Sequence, residues 1–238
     1  MLKELIDKYY LEREKEKKNK ERIHFWISEV GKCPRAIFFK FKKAPAKELE
    51  PERLRIYDHG DFIHQMVLRP LFSLGLVRAA EIPIPPSEII AGRADAILSI
   101  EGEPYVLDVK SISGRMNFEK LEPMQGHIWQ VQLYMHYFKI KKGILLYLNK
   151  DTQEIKEFLF NYDSELVEKL LDWFQKLKRK IEENKVPVRL VDWPQNWQCS
   201  KCEFFDICKM AGEGEVSWEE LKKKIENYNK IEEKVKNS

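Results

Sequence analysis

The sequence predicts an α/β fold in which a mixed central sheet is flanked by helices. Three observations carry it: β-branched alternation is confined to the middle of the chain, helical spacing brackets that stretch, and a short turn at Glu101-Gly102 joins two alternating segments.

Residues 1–22 read as a solvated helix, because Leu2, Leu5, Ile6, Tyr9 and Tyr10 form only a short apolar stripe ahead of a run of Lys and Glu. In HFWISEVGKCPRAIFFKFKK, Gly31 and Pro34 punctuate the pattern, and Pro34 is placed to open a short aromatic-rich helix directly after Cys33. The spacing from Pro51 to about Leu74 suits a helix, weakly interrupted at Gly60 and again at Pro70, with His64 in its second half. Val77–Pro85, Glu88–Ile100 and Pro104–Lys110 have the alternation of strands. A helix rich in aromatics runs from about Glu122 to Lys139 with Pro123 near its start, followed by strands Gly143–Asn149 and Ile155–Tyr162. Asp163–Asn184 is an amphipathic helix that Asp163 or Ser164 can cap. A Pro/Trp/Cys-rich stretch, Val186–Met210, precedes a last charged helix from about Ser217 to Val235. These segments group as an amino-terminal helical region, 1–50, a core, 51–185, and a cysteine-rich tail with its helix, 186–238.

The 238 residues, 43% of them hydrophobic, suffice for a substantial core. No apolar run reaches eighteen residues, and the amino end is charged where a signal peptide is apolar, so no membrane partner is expected and the expected location is the cytoplasm. Lys and Arg number 42 against 39 Asp and Glu, a formal charge of +3, which permits a nucleic-acid partner without identifying one. Four cysteines in a reducing compartment point to metal binding before disulfides.

The most informative segment is GRADAILSIEGEPYVLDVKS. With Glu101-Gly102 as a two-residue turn, Ile100 pairs with Glu103, and the register sets Asp95 directly across from Asp108. Period two then puts Asp108 and Lys110 on one face of their strand and Leu107 and Val109 on the other. Carboxylates about 5 Å apart across a ladder repel unless a cation sits between them. Hard oxygen ligands of this kind suit Mg²⁺ or Mn²⁺, and a metal-bound water is a nucleophile for phosphorus. A D-x-K alone is more often an exposed ion pair worth at most about 1 kcal/mol; the paired Asp95 is what changes that reading.

G-R-A-D, followed thirteen residues after its Asp by D-V-K, resembles the RecB-type branch of the PD-(D/E)xK nucleases, whose fold is restriction-endonuclease-like. His64 in HGDFIHQMV resembles the metal-binding helix histidine of that branch, and Gln130 and Tyr134 in QVQLY resemble its Q-x-x-x-Y motif. Glu81 is a weaker match to an acidic residue on the preceding strand. The resemblance implies catalytic roles for Asp95, Asp108, Lys110, Gln130 and Tyr134, a metal set of His64, Asp95, Asp108 and Val109, and DNA contacts from Arg93, Arg115, Gln130 and Tyr134. Taken without the hairpin, His64 reads as a packed helix histidine, and Gln130 and Tyr134 as the edge of an apolar stripe.

Cys199, Cys202 and Cys208 form a C-x2-C-x5-C run, and Cys33 lies far upstream. This spacing does not by itself separate zinc from an iron–sulfur cluster, although zinc sites more often use two close pairs. One distant cysteine in C-P-R and a trio after the core resemble the iron–sulfur RecB nucleases, and the compact layout without a P-loop is most similar to the CRISPR-associated exonucleases, the fourth Cas family. That resemblance implies an iron–sulfur cluster, 4Fe-4S ahead of 2Fe-2S, held by Cys33, Cys199, Cys202 and Cys208, with Phe204 and Phe205 packed around it. It also implies exonuclease action on DNA with single-stranded ends, and CRISPR integrase proteins as partners. Alternative readings are a RecB-like nuclease of DNA repair or of a mobile element, a DNA-binding scaffold, and a redox-responsive cluster protein.

Overall fold

In the computed structural model, which describes residues 1–19, 21–114 and 117–236, the elements in chain order are α1 (Leu2–Asn19), β1 (Phe25–Trp26), α2 (Pro34–Phe41), α3 (Pro51–Ser73), β2 (Val77–Pro83), β3 (Ile90–Ala91), β4 (Arg93–Ile100), β5 (Glu103–Ile112), α4 (Gln125–Phe138), β6 (Lys142–Asn149), β7 (Ile155–Asn161), α5 (Ser164–Glu182), β8 (Lys185–Val186), α6 (Phe205–Ala211), β9 (Val216–Ser217) and α7 (Trp218–Lys236). The chain forms two compact units: Met1–Gly31 with Glu50–Asp172, and Lys32–Leu49 with Trp173–Ser238.

The first unit is built on a five-stranded sheet of order β2-β4-β5-β6-β7. Only β5 and β6 run parallel; the other three neighbours are antiparallel, so the sheet is mixed as expected. The parallel pair requires a crossover, and α4 supplies it. Ile63, Val67 and Leu68 of α3 cover one sheet face, packing with Ala96, Leu98, Leu107, Val109, Ile144 and Leu146. On the other face α4 lies against β6 at Gly143, where an added Cβ would stand 2.5 Å from Val131 and 2.9 Å from the Met135 sulfur. Any side chain at that position would push the helix off the sheet.

The predicted β-hairpin forms with the predicted register, Ile100 opposite Glu103. Both turn residues are left-handed, Glu101 at φ 52° and Gly102 at φ 85°, the backbone that matches strand twist in a two-residue loop. Several boundaries differ. The strand expected over Glu88–Ile100 is broken at Gly92, because β3 leaves the main sheet to pair in parallel with β1, an element too short to carry a periodic signal. The strand expected over Val77–Pro85 ends at Pro83, and α4 starts at Gln125 after an extended Met124, so Pro123 precedes the helix instead of opening it. Helix α1 leaves Leu2, Leu5, Ile6 and Tyr9 exposed and meets α3 through polar contacts, Tyr10 donating to Asp58 at 3.0 Å and Arg13 pairing with the same carboxylate.

The second unit joins α2 to the carboxyl-terminal part. Pro34 occupies the first turn of α2 with Cys33 at its N-cap, as the sequence predicts. Phe38, Phe39, Phe204 and Trp218 pack with Val186, Leu221 and Ile225 into its core. The Pro/Trp/Cys-rich stretch contains most of α6, and β8 pairs with β9 over two residues each.

Candidate active site

The β4–β5 ladder is paired as far as Ala96–Leu107 and then opens. Asp95 and Asp108 are the next residues on each strand, so the two carboxylates flank the point where the strands part. Both are buried, Asp95 at 8% and Asp108 at 1% exposure.

Asp95 is held from two sides. Its Oδ2 accepts the Val109 backbone N–H at 2.6 Å, and its Oδ1 lies 3.2 Å from His64 Nδ1 on α3. Burial disfavours its charge, but the His64 hydrogen bond and charge, Lys110 and the Val109 N–H together hold its pKa below the usual carboxylate value. His64 is its counterpart: burial opposes its protonation, and the Asp95 hydrogen bond and charge overcome that, raising its pKa.

Asp108 is the strained member. Burial pushes its pKa up to about 6, with Lys110 opposing the shift and the Asp95 charge adding to it. Lys110 Nζ stands 2.7 Å from Oδ2 and is the cation paired with this enclosed oxygen. A buried carboxylate with a single cationic neighbour can accept a further cation.

Glu81 joins them. It lies opposite Asp95 between the Ala80–Ala96 and Ile82–Ala94 pairs, with its backbone at φ 53°, a conformation a non-glycine residue in a strand rarely adopts. Donor atoms of His64, Glu81 and Asp95 all lie within 4.8 Å of one another. Two carboxylates and an imidazole form an N,O donor set suited to a first-row divalent ion such as Mn²⁺. The sequence offers Glu81 as a weaker match to an acidic residue of the preceding strand; its left-handed backbone has no signature in residue type. Asp108 lies outside this trio of donors but within electrostatic reach of Asp95 and His64.

Of the other sequence-predicted residues, Gln130 and Tyr134 are buried on α4. Gln130 Nε2 donates to the Tyr134 hydroxyl at 3.4 Å, and that hydroxyl donates to the Arg93 carbonyl at 2.8 Å. The motif thereby ties the crossover helix to the start of the strand carrying Asp95. Burial, with the negative field of Asp108, raises the Tyr134 pKa, so the phenol stays a donor. The Arg93 guanidinium is exposed and pairs with Glu81 at 2.7 Å. Arg115 lies outside the described residues. A groove along α3 beside His64 and Glu81 is lined by Gln65, Arg69, Phe72 and Arg93.

In the second unit all four cysteines are free thiols lining one apolar cavity, together with Phe204, Phe205, Trp193 and Arg35. Burial raises the pKa of Cys33, Cys199 and Cys202, and each feels the charge of other thiols in the group. Cys33 Sγ accepts backbone N–H groups of Ala36 and Arg35, and Cys202 Sγ accepts that of Phe204, the kind of donor that surrounds metal-bound thiolate. Phe205 stacks on Trp193 at 5.4 Å between centroids.

The profile of the PD-(D/E)XK nuclease superfamily matches residues 4–209. The CRISPR-associated exonuclease Cas4 of Saccharolobus solfataricus is 27% identical over 199 residues, covering 79% of this chain and 89% of that protein. The crystal structure of SSO0001 superposes with a TM-score of 0.57 at 26% identity, covering 87% of this chain and 96% of that one. An alkaline exonuclease from Laribacter hongkongensis shares the fold, with a TM-score of 0.50 at 12% identity over 68% of this chain and 89% of its own. No helix among the described residues is long and apolar enough to cross a membrane. A profile match over most of the sequence, spanning the hairpin that carries the buried carboxylates, establishes that this chain belongs to the PD-(D/E)XK nuclease superfamily.

Proposed function

We propose that this nuclease is a divalent-metal-dependent DNA exonuclease acting on single-stranded ends. The observation that carries the reading is the convergence of His64, Glu81 and Asp95 beside the buried carboxylate of Asp108. When bound, the metal supplies Lewis acidity toward the phosphate and lowers the pKa of a water. His64, Glu81, Asp95, Asp108 and the Val109 backbone are the residues that would hold it, with Mg²⁺ and Mn²⁺ the ions their chemistry fits.

Asp95, fixed by the Val109 N–H and by His64, keeps its charge and its direction. Lys110, poised on Asp108, orients the attacking water and holds positive charge against the scissile phosphate. Tyr134 and Gln130 position the strand that carries Asp95. Arg93 and Arg69 on the groove offer phosphate contacts, and Arg115 is a further candidate. Exonuclease action and a CRISPR association are supported by the likeness to the CRISPR-associated exonuclease Cas4 of Saccharolobus solfataricus, and the resemblance of the cysteine and hairpin motifs extends the proposal to spacer acquisition with integrase partners.

We further propose that Cys33, Cys199, Cys202 and Cys208 hold an iron–sulfur cluster, 4Fe-4S before 2Fe-2S. The four thiols line one cavity walled by Phe204 and Phe205, which supports an inorganic group held by all four. End-labelled single-stranded DNA incubated with Mn²⁺ or Mg²⁺ tests the first proposal: metal-dependent loss of terminal nucleotides is expected, and cleavage that survives Asp108→Ala would refute it. Iron content and visible absorption of anaerobically purified protein test the second, and a colourless, zinc-replete protein would refute it.

A further inference from the structure

Arg35 is the largest fully buried side chain among the described residues, at 1% exposure. It sits in the first turn of α2, where the helix dipole disfavours a cation. Its five N–H groups are all used. Nε donates to the Pro187 carbonyl at 2.7 Å; Nη1 donates to the carbonyls of Gly212 at 2.7 Å and Cys208 at 3.4 Å; Nη2 donates to those of Gly214 at 2.8 Å and Glu213 at 3.3 Å.

These acceptors are neutral. Among the described residues no carboxylate lies within ion-pair distance of the guanidinium, although the other buried cations and anions of the chain are paired. Carbonyl dipoles, including those at the end of α6, satisfy the hydrogen bonds but leave the net charge without a counter-ion, and an unpaired buried charge costs several kcal/mol. The one ionisable group that the guanidinium touches is a thiol: Nη1 lies 3.5 Å from Cys208 Sγ. Through its backbone N–H the same residue also donates to Cys33 Sγ. Arg35 therefore contacts the two cysteines that come from opposite ends of the sequence.

We propose that Arg35 is the built-in counter-charge of the group the four cysteines hold, and that it sets the reduction potential of that group. The inference rests on the cluster reading above. Four thiolates bring more negative charge than an iron–sulfur core offsets, so the assembled group is anionic and becomes more so when it gains an electron. A fixed guanidinium in a low-dielectric wall favours that more negative, reduced state. It likewise favours assembly over the empty site, in which Arg35 is left facing protonated thiols.

The test is a potentiometric titration of the anaerobic full-length protein with dithionite, read by visible absorption and electron paramagnetic resonance. Arg35→Gln is expected to lower the one-electron midpoint potential by at least a tenfold change in equilibrium constant, about 59 mV. Arg35→Lys keeps the charge but not the five-donor fork, and is expected to return most of that shift. A purely structural role predicts the reverse ordering: both variants lose thermal stability and neither moves the potential.

Gly214→Asp gives a second reading that leaves Arg35 in place, because a Cβ there meets nothing within 4 Å, and the new carboxylate beside Nη2 is expected to lower the potential as well. It carries the test if Arg35→Gln does not fold. Wild-type potentials in the Gln and Asp variants, with full iron content, would overturn the proposal while leaving the cluster assignment standing. Wild-type protein without iron would overturn both, and iron analysis reads that outcome before any variant is made.

Discussion

The carboxylate site and the cysteine site are assembled from opposite kinds of sequence relationship. Asp95 and Asp108 come from neighbouring strands of one hairpin, so a two-residue turn and a period of two set their geometry. Cys33 comes from the start of the chain and its three companions from near the end, and their meeting depends on the packing of α2 with β8, α6 and α7. The difference teaches which functional geometry is local. A hairpin places its site wherever it forms, whereas a cavity closed by remote segments depends on the whole unit being folded.

Changes in the carboxylate site should therefore act on cleavage without unfolding anything, and they offer the largest effect. Asp108→Ala is expected to reduce metal-dependent cleavage by on the order of a thousandfold or more, as for removal of a group acting in the transition state, with iron content and far-ultraviolet circular dichroism unchanged. An equal fall in iron content would break the comparison by linking the two sites.

The converse variant is Cys208→Ser. Loss of the visible chromophore and of protease resistance in the segment from Trp173 onward is expected, while Mn²⁺ binding measured by calorimetry stays within about tenfold, the lower end of effects of residues surrounding a metal site. A collapse of Mn²⁺ binding would show that the hairpin does not hold its site alone.

Tyr134→Phe sharpens the comparison within the first unit. It removes the donor to the part-buried Arg93 carbonyl, at a cost of about 1 kcal/mol. Chemical denaturation should report that loss, and cleavage should fall by about tenfold, an activation penalty near 1.4 kcal/mol.

Protonation gives the gentlest perturbation. Asp108 has its pKa raised from 3.8 to about 6, so the folded apoprotein binds that proton more tightly than the unfolded chain does. Its contribution to stability is present below pH 4 and is lost as pH rises from about 4 to about 6. His64, also raised, contributes in the same direction, whereas Asp95, lowered, contributes stability that is lost on the acid side. Because metal must displace the protons on both His64 and Asp108, Mn²⁺ affinity is expected to fall as pH drops from 7 to 5, by more than tenfold per pH unit below about 6 where both groups are protonated. A flat affinity profile between pH 5 and 7 would remove both His64 and Asp108 from the binding set.

Much of the first unit is legible before folding. The Glu101-Gly102 turn fixes the register, and alternation separates Leu107 and Val109 from Asp108 and Lys110. Helical spacing places His64 on α3, and Gln130 with Tyr134 on α4. What the residues do not reveal is long-range and backbone-made. The left-handed backbone of Glu81 is not written in residue type, the break at Gly92 follows from the remote partner of β3, and the role proposed for Arg35 depends on five carbonyls, which any residue type provides. Cysteine spacing carries the proposal of a metal-binding group but says nothing of the charge that would accompany it.

The most direct measurement is anomalous diffraction at the manganese edge from crystals grown with Mn²⁺. The account predicts a peak within bonding distance of Asp95 and of His64 or Glu81, with Asp108 turned toward it from Lys110. A protein that degrades DNA in Mn²⁺ while its only manganese peaks lie away from the open end of the β4–β5 hairpin would contradict it.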